Sequence, residues 1–231
     1  MTTTSDFHHV YLPAEKPGRP TLLLLHGTGA DEHDLIALGR ALAPGAALLS
    51  PRGKVREHGA NRWFRRLREG VFDVDDVVAR SGELAGFVSA AVGEYGIEPQ
   101  DLIAVGFSNG ANIGAATLLL HPEVLAGAAL FAVAAPLQDR EPEEADLSGK
   151  PVFLSTGRVD PITPIDQAQL LDRQLRERGA DVTLHEHSGG HELPPPVLAA
   201  AHGWLVGSGP TGSPAHRPGP GSAAGAEGGT G

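Results

Sequence analysis

The sequence predicts an α/β domain built on a mostly parallel sheet with helices on both faces. Short apolar runs typical of strands alternate along the chain with longer segments of helical pattern. Residues 22–25 are four consecutive leucines, as expected of a strand that is buried on both faces of a parallel sheet. A chain of 231 residues is long enough for one such domain with a full core.

Seven segments are predicted to be strands, because each is a short, mainly apolar run bounded by turn residues. They span residues 7–12, 21–26, 46–50, 102–105, 124–133, 151–156 and 182–185. Five segments have helical patterns, and they span residues 31–43, 73–95, 109–120, 164–178 and 198–206. Gly96 is a suitable stop for the second helix. Residues 51–72 are expected to form a long irregular stretch.

Composition restricts the class of function. The net charge of -10 argues against non-specific binding to nucleic acid or to anionic membranes. The absence of cysteine excludes disulfides, thiolate metal sites and a cysteine nucleophile. The longest apolar stretch, residues 124–137, is too short to span a bilayer. The first residues lack the basic and apolar regions of a secretory signal, so we expect a cytoplasmic protein, as a monomer or a homodimer.

The last part of the chain differs from the rest. From residue 207 onward it consists almost entirely of Gly, Pro, Ser, Ala and Thr. Such a segment cannot bury enough apolar surface to offset the entropy lost on ordering. We therefore predict a single α/β domain over residues 1–206 and a disordered tail over residues 207–231.

The strand that begins at Leu102 runs directly into Gly106-Phe107-Ser108-Asn109-Gly110, and a helical segment follows at once. This is the G-x-S-x-G pattern in the strand–turn–helix context of a nucleophile elbow. The backbone of a serine at the apex is strained, and side chains two positions to either side would collide. Gly106 and Gly110 remove those side chains. The pattern predicts a nucleophilic Ser108, the alternative being a chance match in a glycine-rich chain.

A serine nucleophile needs a general base, which on this scaffold follows the last strand. Most of the eleven histidines come too early in the chain, lie in or beside the last strand, or fall in the final helix or the tail. His191 lies in the glycine-rich loop Ser188-Gly189-Gly190-His191-Glu192, which follows the last strand and precedes a helix. His191 is therefore the predicted base.

The base needs an acid that orients it. Asp160 lies in the loop that leaves the preceding strand, which gives the chain order Ser, Asp, His. Asp166 is a rival inside the following helix, and Asp139 is another in an acidic loop one strand earlier. By itself Asp160 could simply cap a helix, but its order and spacing relative to Ser108 and His191 favour a catalytic role.

Acyl transfer also needs donors where the carbonyl oxygen becomes an anion. The backbone N–H of Asn109, directly after the nucleophile, is one predicted donor. The second is the N–H of Thr28 in the turn Gly27-Thr28-Gly29, with His26 expected to hold that turn by hydrogen bonds. A phosphate-binding loop is a weaker interpretation of this turn, because neither G-x-G-x-x-G nor G-K-[ST] is present.

Four motifs together resemble those of one branch of the α/β-hydrolases. They are Leu-His-Gly-Thr-Gly-Ala-Asp-Glu, Gly-Phe-Ser-Asn-Gly-Ala-Asn, Gly-Arg-Val-Asp-Pro and Gly-Gly-His-Glu. The branch is the phospholipase/carboxylesterase family, which includes small bacterial carboxylesterases and acyl-protein thioesterases, with dienelactone hydrolase as a neighbour. The resemblance covers residues 22 to about 205 and implies the α/β-hydrolase fold and a Ser-His-Asp triad.

The segment Asn-Arg-Trp-Phe-Arg-Arg (61–66), with Gly-Val-Phe-Asp (70–73), resembles the subgroup of hydrolases found in quinone-resistance operons. Two positions depart from other members of the branch. Dienelactone hydrolases have cysteine where this chain has Ser108, and acyl-protein thioesterases usually have Gln at the position of Asn109.

Two features bear on the substrate. Only about fifteen residues separate the strand that ends near position 133 from the next strand, which leaves no room for a helical lid domain, so we expect an open, shallow site. Residues 52–68 hold seven of the eighteen basic residues. One interpretation is a solvated loop paired with Glu69 and Asp73. The other is that the loop borders the pocket, with Arg62 favouring an anionic substrate and Trp63 and Phe64 as an apolar wall.

The combined prediction is a carboxylesterase-type serine hydrolase that cleaves small carboxylic esters or thioesters and needs no metal or cofactor. The triad is Ser108, Asp160 and His191, with Thr28 and Asn109 as oxyanion donors. Two alternatives stay open: a non-catalytic ligand-binding protein on the same scaffold, and a perhydrolase or C–C hydrolase of this fold.

Overall fold

A computed structural model of the chain describes residues 3–16, 18–68, 70–138, 140 and 145–208. Its strands are β1 (His9–Leu12), β2 (Thr21–Leu25), β3 (Ala47–Pro51), β4 (Val55–Glu57), β5 (Ala60–Arg62), β6 (Arg66–Arg68), β7 (Val71–Phe72), β8 (Leu102–Phe107), β9 (Gly127–Phe131), β10 (Pro151–Gly157) and β11 (Asp181–His187). Its helices are α1 (Ile36–Leu42), α2 (Val74–Tyr95), α3 (Asn109–Leu120), α4 (Ile165–Glu177) and α5 (Pro195–Ser208).

Seven of the strands form one sheet in the order β1-β3-β2-β8-β9-β10-β11. Only β1 runs antiparallel to its neighbour, and every other adjacent pair is parallel. This mostly parallel sheet is the predicted fold class. Because the six strands of this sheet other than β1 point the same way, the loops after them gather at one edge of the sheet.

The four leucines of β2 show how the core is built. Leu23 and Leu25 pack into an apolar cluster on one face of the sheet, and Leu22 and Leu24 pack into a second cluster on the other. Successive side chains of a strand point to opposite faces, so such a strand is apolar throughout only when both faces are covered. Helices α2, α3 and α4 contribute to the first cluster, and α1 and α5 to the second.

All seven predicted strands are confirmed as the strands of this sheet, and the five predicted helices are present, four of them with shifted ends. The largest shift is at the start of α1, which begins at Ile36 and not at residue 31. Helix α5 begins at Pro195 and continues to residue 208, past the predicted domain end. Pro fits the first turn of a helix because the N–H that it lacks has no intrahelical partner there.

The expectation of an irregular stretch over residues 51–72 was wrong. The segment contains two antiparallel hairpins, β4–β5 and β6–β7. His58 and Gly59 connect β4 to β5 with φ angles of 50° and 86°, which is the backbone twist that a two-residue hairpin turn requires. A His-Gly turn between such short strands is a weak sequence signal, which explains the error.

Several sequence predictions concern residues outside the described parts of the chain. Glu69, Asp139 and most of the acidic loop, residues 141–144, belong to these, as does the predicted tail from residue 209 onward. The described residues between β9 and β10 contain turns and no helix, in keeping with the short connection. No helix of the described chain has the length and hydropathy needed to cross a membrane.

The turn between β8 and α3 depends on two glycines. A Cβ at Gly106 would lie 2.7 Å from backbone atoms of Ala111, and a Cβ at Gly110 would overlap the carbonyl oxygen of Leu25. The first turn of α3 is therefore in direct backbone contact with the end of β2. This contact places the beginning of the helix beside the loop that leaves β2.

We predict that Gly110→Ala destabilises the protein by about 1–3 kcal/mol, because the added methyl group forces the helix away from β2. Urea denaturation gives the free energy of unfolding. Gly93→Ala is the matched control, since Gly93 is an exposed helical glycine with open space around its Cβ position. It should stabilise the protein by up to about 1 kcal/mol. Equal effects of the two substitutions would contradict the steric argument.

Candidate active site

Four loops at the same edge of the sheet carry the predicted site residues. Thr28 follows β2, Ser108 lies between β8 and α3, Asp160 follows β10, and His191 follows β11. This is the edge where ligands bind in open α/β sheets. All of these residues except Asp160 line one pocket of about 520 Å³.

Ser108 has φ 52° and ψ -117°, a backbone conformation that is strained for any residue with a side chain. Its N–H donates to the carbonyl oxygen of Phe131 at 2.9 Å, and its carbonyl oxygen accepts the N–H of Asn112 at 3.0 Å. These bonds hold the strained turn between β9 and α3. The structure therefore has the geometry predicted for a nucleophile elbow.

Ser108, His191 and Asp160 lie in one chain of hydrogen bonds. The Oγ of Ser108 is 2.9 Å from Nε2 of His191, and Nδ1 of His191 is 2.7 Å from Oδ2 of Asp160. A carboxylate can only accept, so Nδ1 carries the proton and Nε2 is left to accept the proton of the serine hydroxyl. The arrangement is that of a base positioned to activate a hydroxyl group.

The Asp160 side chain is fully buried and held on its second oxygen as well. Its Oδ1 accepts the backbone N–H groups of Ile162 at 2.8 Å and Thr163 at 2.9 Å. The rival Asp166 lies in the first turn of α4 and forms no hydrogen bond with His191. The acid and base loops also pack tightly, since a Cβ at Gly157 would overlap the carbonyl oxygen of Gly190.

The two predicted oxyanion donors both lie at the pocket. Within the described residues, the N–H of Thr28 and the N–H of Asn109 form no hydrogen bond with a protein acceptor. Asn109 is the first residue of α3, where N–H groups have no partner inside the helix and the helix dipole favours negative charge. These two N–H groups stay the predicted donors to an anionic oxygen in the pocket.

His26 stabilises the loop after β2, as predicted. Its Nδ1 lies 2.7 Å from the carbonyl oxygen of Gly27, and its Nε2 accepts the N–H of Gly53 at 2.9 Å. The neutral ring has one donor nitrogen and one acceptor nitrogen, and these two hydrogen bonds use both. Burial lowers the pKa of His26, because the charged ring would lose its hydration.

Trp63 and Phe64 are not on the pocket wall, which corrects the expectation from sequence. Both are buried in the apolar core, Phe64 completely. The N–H of Trp63 donates to Oδ1 of Asn109 at 2.8 Å, and its indole Nε1 donates to the carbonyl oxygen of His26 at 2.9 Å. Trp63 therefore bonds to both of the elements that carry the predicted oxyanion donors.

Arg62 does line the pocket, and it is only 5% exposed. Its Nη1 donates to Oγ1 of Thr28 at 2.9 Å, and its Nε lies 3.0 Å from Oε2 of Glu57. Burial lowers the pKa of Arg62, opposed by the charge of Glu57. Of the alternative of a solvated loop paired with Glu69 and Asp73, the described residues show the pairing of Arg65 with Asp73 at 3.1 Å, while Glu69 lies outside them.

The rest of the pocket wall was not identified from the sequence. Arg66 lies on it beside Arg62, and an apolar part is formed by Phe72, Phe107 and Ile162. The accumulation of basic residues indicated the segment, but the hairpin register decides which arginines face the pocket. Among the described residues, no group of three or more His, Asp and Glu side chains could hold a metal ion.

The fold and this arrangement of serine, histidine and aspartate define an α/β-hydrolase. A model of the phospholipase/carboxylesterase family matches residues 8–206, so the chain belongs to that family. MhqD of Bacillus subtilis (strain 168), which is named as a hydrolase, is 44% identical over 183 residues, covering 79% of this chain and 90% of MhqD.

Solved structures agree with this assignment. The Bacillus cereus carboxylesterase superposes with a TM-score of 0.84 at 38% identity, covering 87% of this chain and 94% of that one. YahD, solved with malic acid, superposes with a TM-score of 0.79 at 29% identity, covering 87% of this chain and 99% of that one. The chain is thus an esterase-type hydrolase of the α/β-hydrolase fold.

An ion pair fixes the loop that carries Thr28. Glu32, in that loop, is 8% exposed. Its carboxylate accepts a hydrogen bond at 2.7 Å from Nη2 of Arg52, which lies just after β3. The hydrogen bonds from Arg52 lower the pKa of Glu32 to about 2, while burial opposes the shift. A carboxyl group whose pKa is lowered by folding stabilises the protein above its unfolded pKa, and this contribution disappears as the pH falls through the folded value.

We therefore predict that Glu32→Gln lowers stability at pH 7, and that the difference from wild type shrinks as the pH falls from about 4.5 towards 2. Urea denaturation at a series of pH values measures it. Asp34→Asn is the control, because Asp34 is in the same loop but forms no ion pair with a described residue. A Glu32→Gln deficit that stays constant from pH 7 to pH 2.5 would contradict the prediction.

Proposed function

We propose that this protein hydrolyses carboxylic esters of small molecules through Ser108, His191 and Asp160, by way of an acyl-enzyme. The observation that carries the proposal is the chain of hydrogen bonds from Ser108 through His191 to buried Asp160, beside a pocket with two free backbone donors. Membership of the phospholipase/carboxylesterase family supports ester hydrolysis as the reaction class.

In the first half of the reaction, Nε2 of His191 takes the hydroxyl proton of Ser108 as Oγ bonds to the ester carbonyl carbon. The carbonyl oxygen becomes an anion and accepts hydrogen bonds from the N–H groups of Thr28 and Asn109. His191 is then a cation, which the carboxylate of Asp160 stabilises at 2.7 Å. The proton on Nε2 passes to the leaving alcohol, and the acyl group remains on Ser108.

In the second half, water takes the place of the alcohol. His191 removes a proton from the water as its oxygen bonds to the acyl carbon, and the same donors hold the oxyanion. The bond to Oγ then breaks, Ser108 recovers its proton from His191, and the acid leaves. The proton that leaves with the alcohol is replaced by one from water, so Ser108 and His191 regain their starting protonation states and the cycle is complete.

The pocket supports substrates of small size. Its volume of about 520 Å³ is in the lower part of the range for small-molecule sites. Several lining residues, including Thr28, Asp34 and Ile162, are exposed, which supports an open entrance. The structure of the related protein YahD was solved with malic acid, which is a small molecule. Thioesters undergo the same acyl transfer and are included in the proposal.

Ser108→Ala should lower kcat for 4-nitrophenyl acetate by at least about 10⁴-fold, because triad members act as a unit and removal of the nucleophile disables it. Release of nitrophenolate measures the rate, and circular dichroism shows that the fold is kept. Unchanged turnover would refute the assignment. Wild-type protein that is labelled by a fluorophosphonate but shows no steady-state turnover would favour a non-catalytic binding protein, and peracid formation from ester and peroxide would favour a perhydrolase.

Asp160→Asn should lower kcat by about 10⁴-fold, because an amide can donate to Nδ1 and so favours the tautomer in which Nε2 carries the proton. The same assay over a range of pH measures it. Asp166→Asn is the matched control, since it removes the rival carboxylate from the next helix and should leave kcat unchanged. A larger loss in Asp166→Asn than in Asp160→Asn would exchange the roles of the two residues.

A further inference from the structure

Two arginines on the pocket wall share a single carboxylate. Nε of Arg62 lies 3.0 Å from Oε2 of Glu57, and Nε of Arg66 lies 2.9 Å from Oε1 of the same residue. The hydrogen bond from Arg66, together with the charge of Arg62, lowers the pKa of Glu57. Glu57 is therefore an anion that contacts both guanidinium groups, and within the described residues no second carboxylate pairs with either arginine.

Both guanidinium groups retain donors that have no partner among the described residues. Nη2 of Arg62 forms no hydrogen bond with a described residue and is not sealed off from the pocket. Both terminal nitrogens of Arg66 are likewise without a partner among the described residues. The two side chains line the same pocket as Ser108. Planar forks held in place in this way match the geometry of a carboxylate.

The balance of charge favours an anion at this part of the wall. Arg62 is 5% exposed, and a buried cation is costly unless it is paired. Glu57 neutralises only one of the two arginines. Asp34 also lines the pocket, but it is solvent-exposed, where its charge is screened. An anionic group of the substrate would complete the pairing that Glu57 begins.

The geometry points to a carboxylate subsite formed by Arg62 and Arg66, so that the preferred substrates are esters that carry a carboxylate beside the scissile bond. This inference rests on the proposed ester hydrolysis at Ser108. Glu57 positions the two arginines, and the substrate carboxylate accepts from their free terminal nitrogens. Arg62 also bonds to Thr28, so substitution of Arg62 disturbs the predicted oxyanion loop, and Arg66 is the cleaner position to test.

The test compares pairs of esters that differ only in a carboxylate and its neutral amide isostere. Monoethyl succinate and ethyl succinamate place the group on the acyl side, with ethanol release as the readout. Acetoxyacetate and acetoxyacetamide place it on the alcohol side, with acetate release as the readout. In one of the two pairs, wild-type kcat/KM at pH 7 should be higher for the carboxylate by roughly tenfold or more, as expected of charge-assisted hydrogen bonds.

Arg66→Gln should remove most of this preference while retaining turnover of the amide isostere. Arg65→Gln is the matched control on the same segment, because Arg65 is 63% exposed and pairs with Asp73 away from the pocket. Its ratio should equal that of wild type. The ratio compares two substrates on one preparation, so a change in the fraction of folded protein cancels. The wild-type preference should also fall as salt is added, since salt screens exposed charge pairs.

Absence of a preference for the carboxylate in both pairs, or a preference that Arg66→Gln leaves unchanged, would overturn the subsite. The two proposals fail in distinguishable ways. If ethyl succinamate is hydrolysed equally well by Ser108→Ala, the triad assignment fails. If its hydrolysis depends on Ser108 but the preference is missing, only the carboxylate subsite fails.

Discussion

The backbone contact between α3 and β2 is the constraint on which the site depends. Only a residue without a side chain at position 110 allows the first turn of α3 to lie against the carbonyl oxygen of Leu25. This contact brings the N–H of Asn109 next to the loop of Thr28, although the two residues are far apart in the chain. Ser108, directly before this turn, has a strained conformation, so the nucleophile predicted from the sequence and the two predicted oxyanion donors all lie close to this contact.

The segment from Gly53 to Phe64 supports this arrangement from outside the main sheet. Gly53 donates to His26, Asn61 accepts the N–H of Gly29, and Trp63 donates to Asn109 and to the carbonyl of His26. The loop after β2 therefore has partners along its length. Fixed donors are worth more to catalysis than mobile ones, because no reorganisation is needed when charge develops.

Much of the fold and the choice of residues could be predicted from the sequence. The alternation of apolar runs and helical segments is a local property, and it predicts the sheet strands and the helices. The order Ser108, Asp160, His191 predicts which side chains meet, because loops after parallel strands gather at one edge. Asp166 fits the same chain order, but its position inside a predicted helix, and not in the loop after β10, favours Asp160 over it.

Other features depend on tertiary contacts that no local pattern encodes. Trp63 and Phe64 are suited equally to a pocket wall and to a core, and the contacts with His26, Asn109 and the apolar cluster place them in the core. The run of basic residues does not reveal that Arg62 and Arg66 face inward while Arg65 pairs outside. That choice follows from short hairpins whose turns include His58 and Gly59 at positive φ.

The double attachment of Arg62 has a consequence for how members of this family diverge. A substitution at Arg62 changes the pocket wall and removes the hydrogen bond to Thr28 at the same time. Substrate range and the rate of hydrolysis therefore cannot evolve independently at that position. Arg66 and Phe72, on the second hairpin, line the same pocket without a hydrogen bond to the loop of Thr28 among the described residues. The β6–β7 hairpin is therefore the part of the wall where new specificities can evolve at least cost to the chemistry.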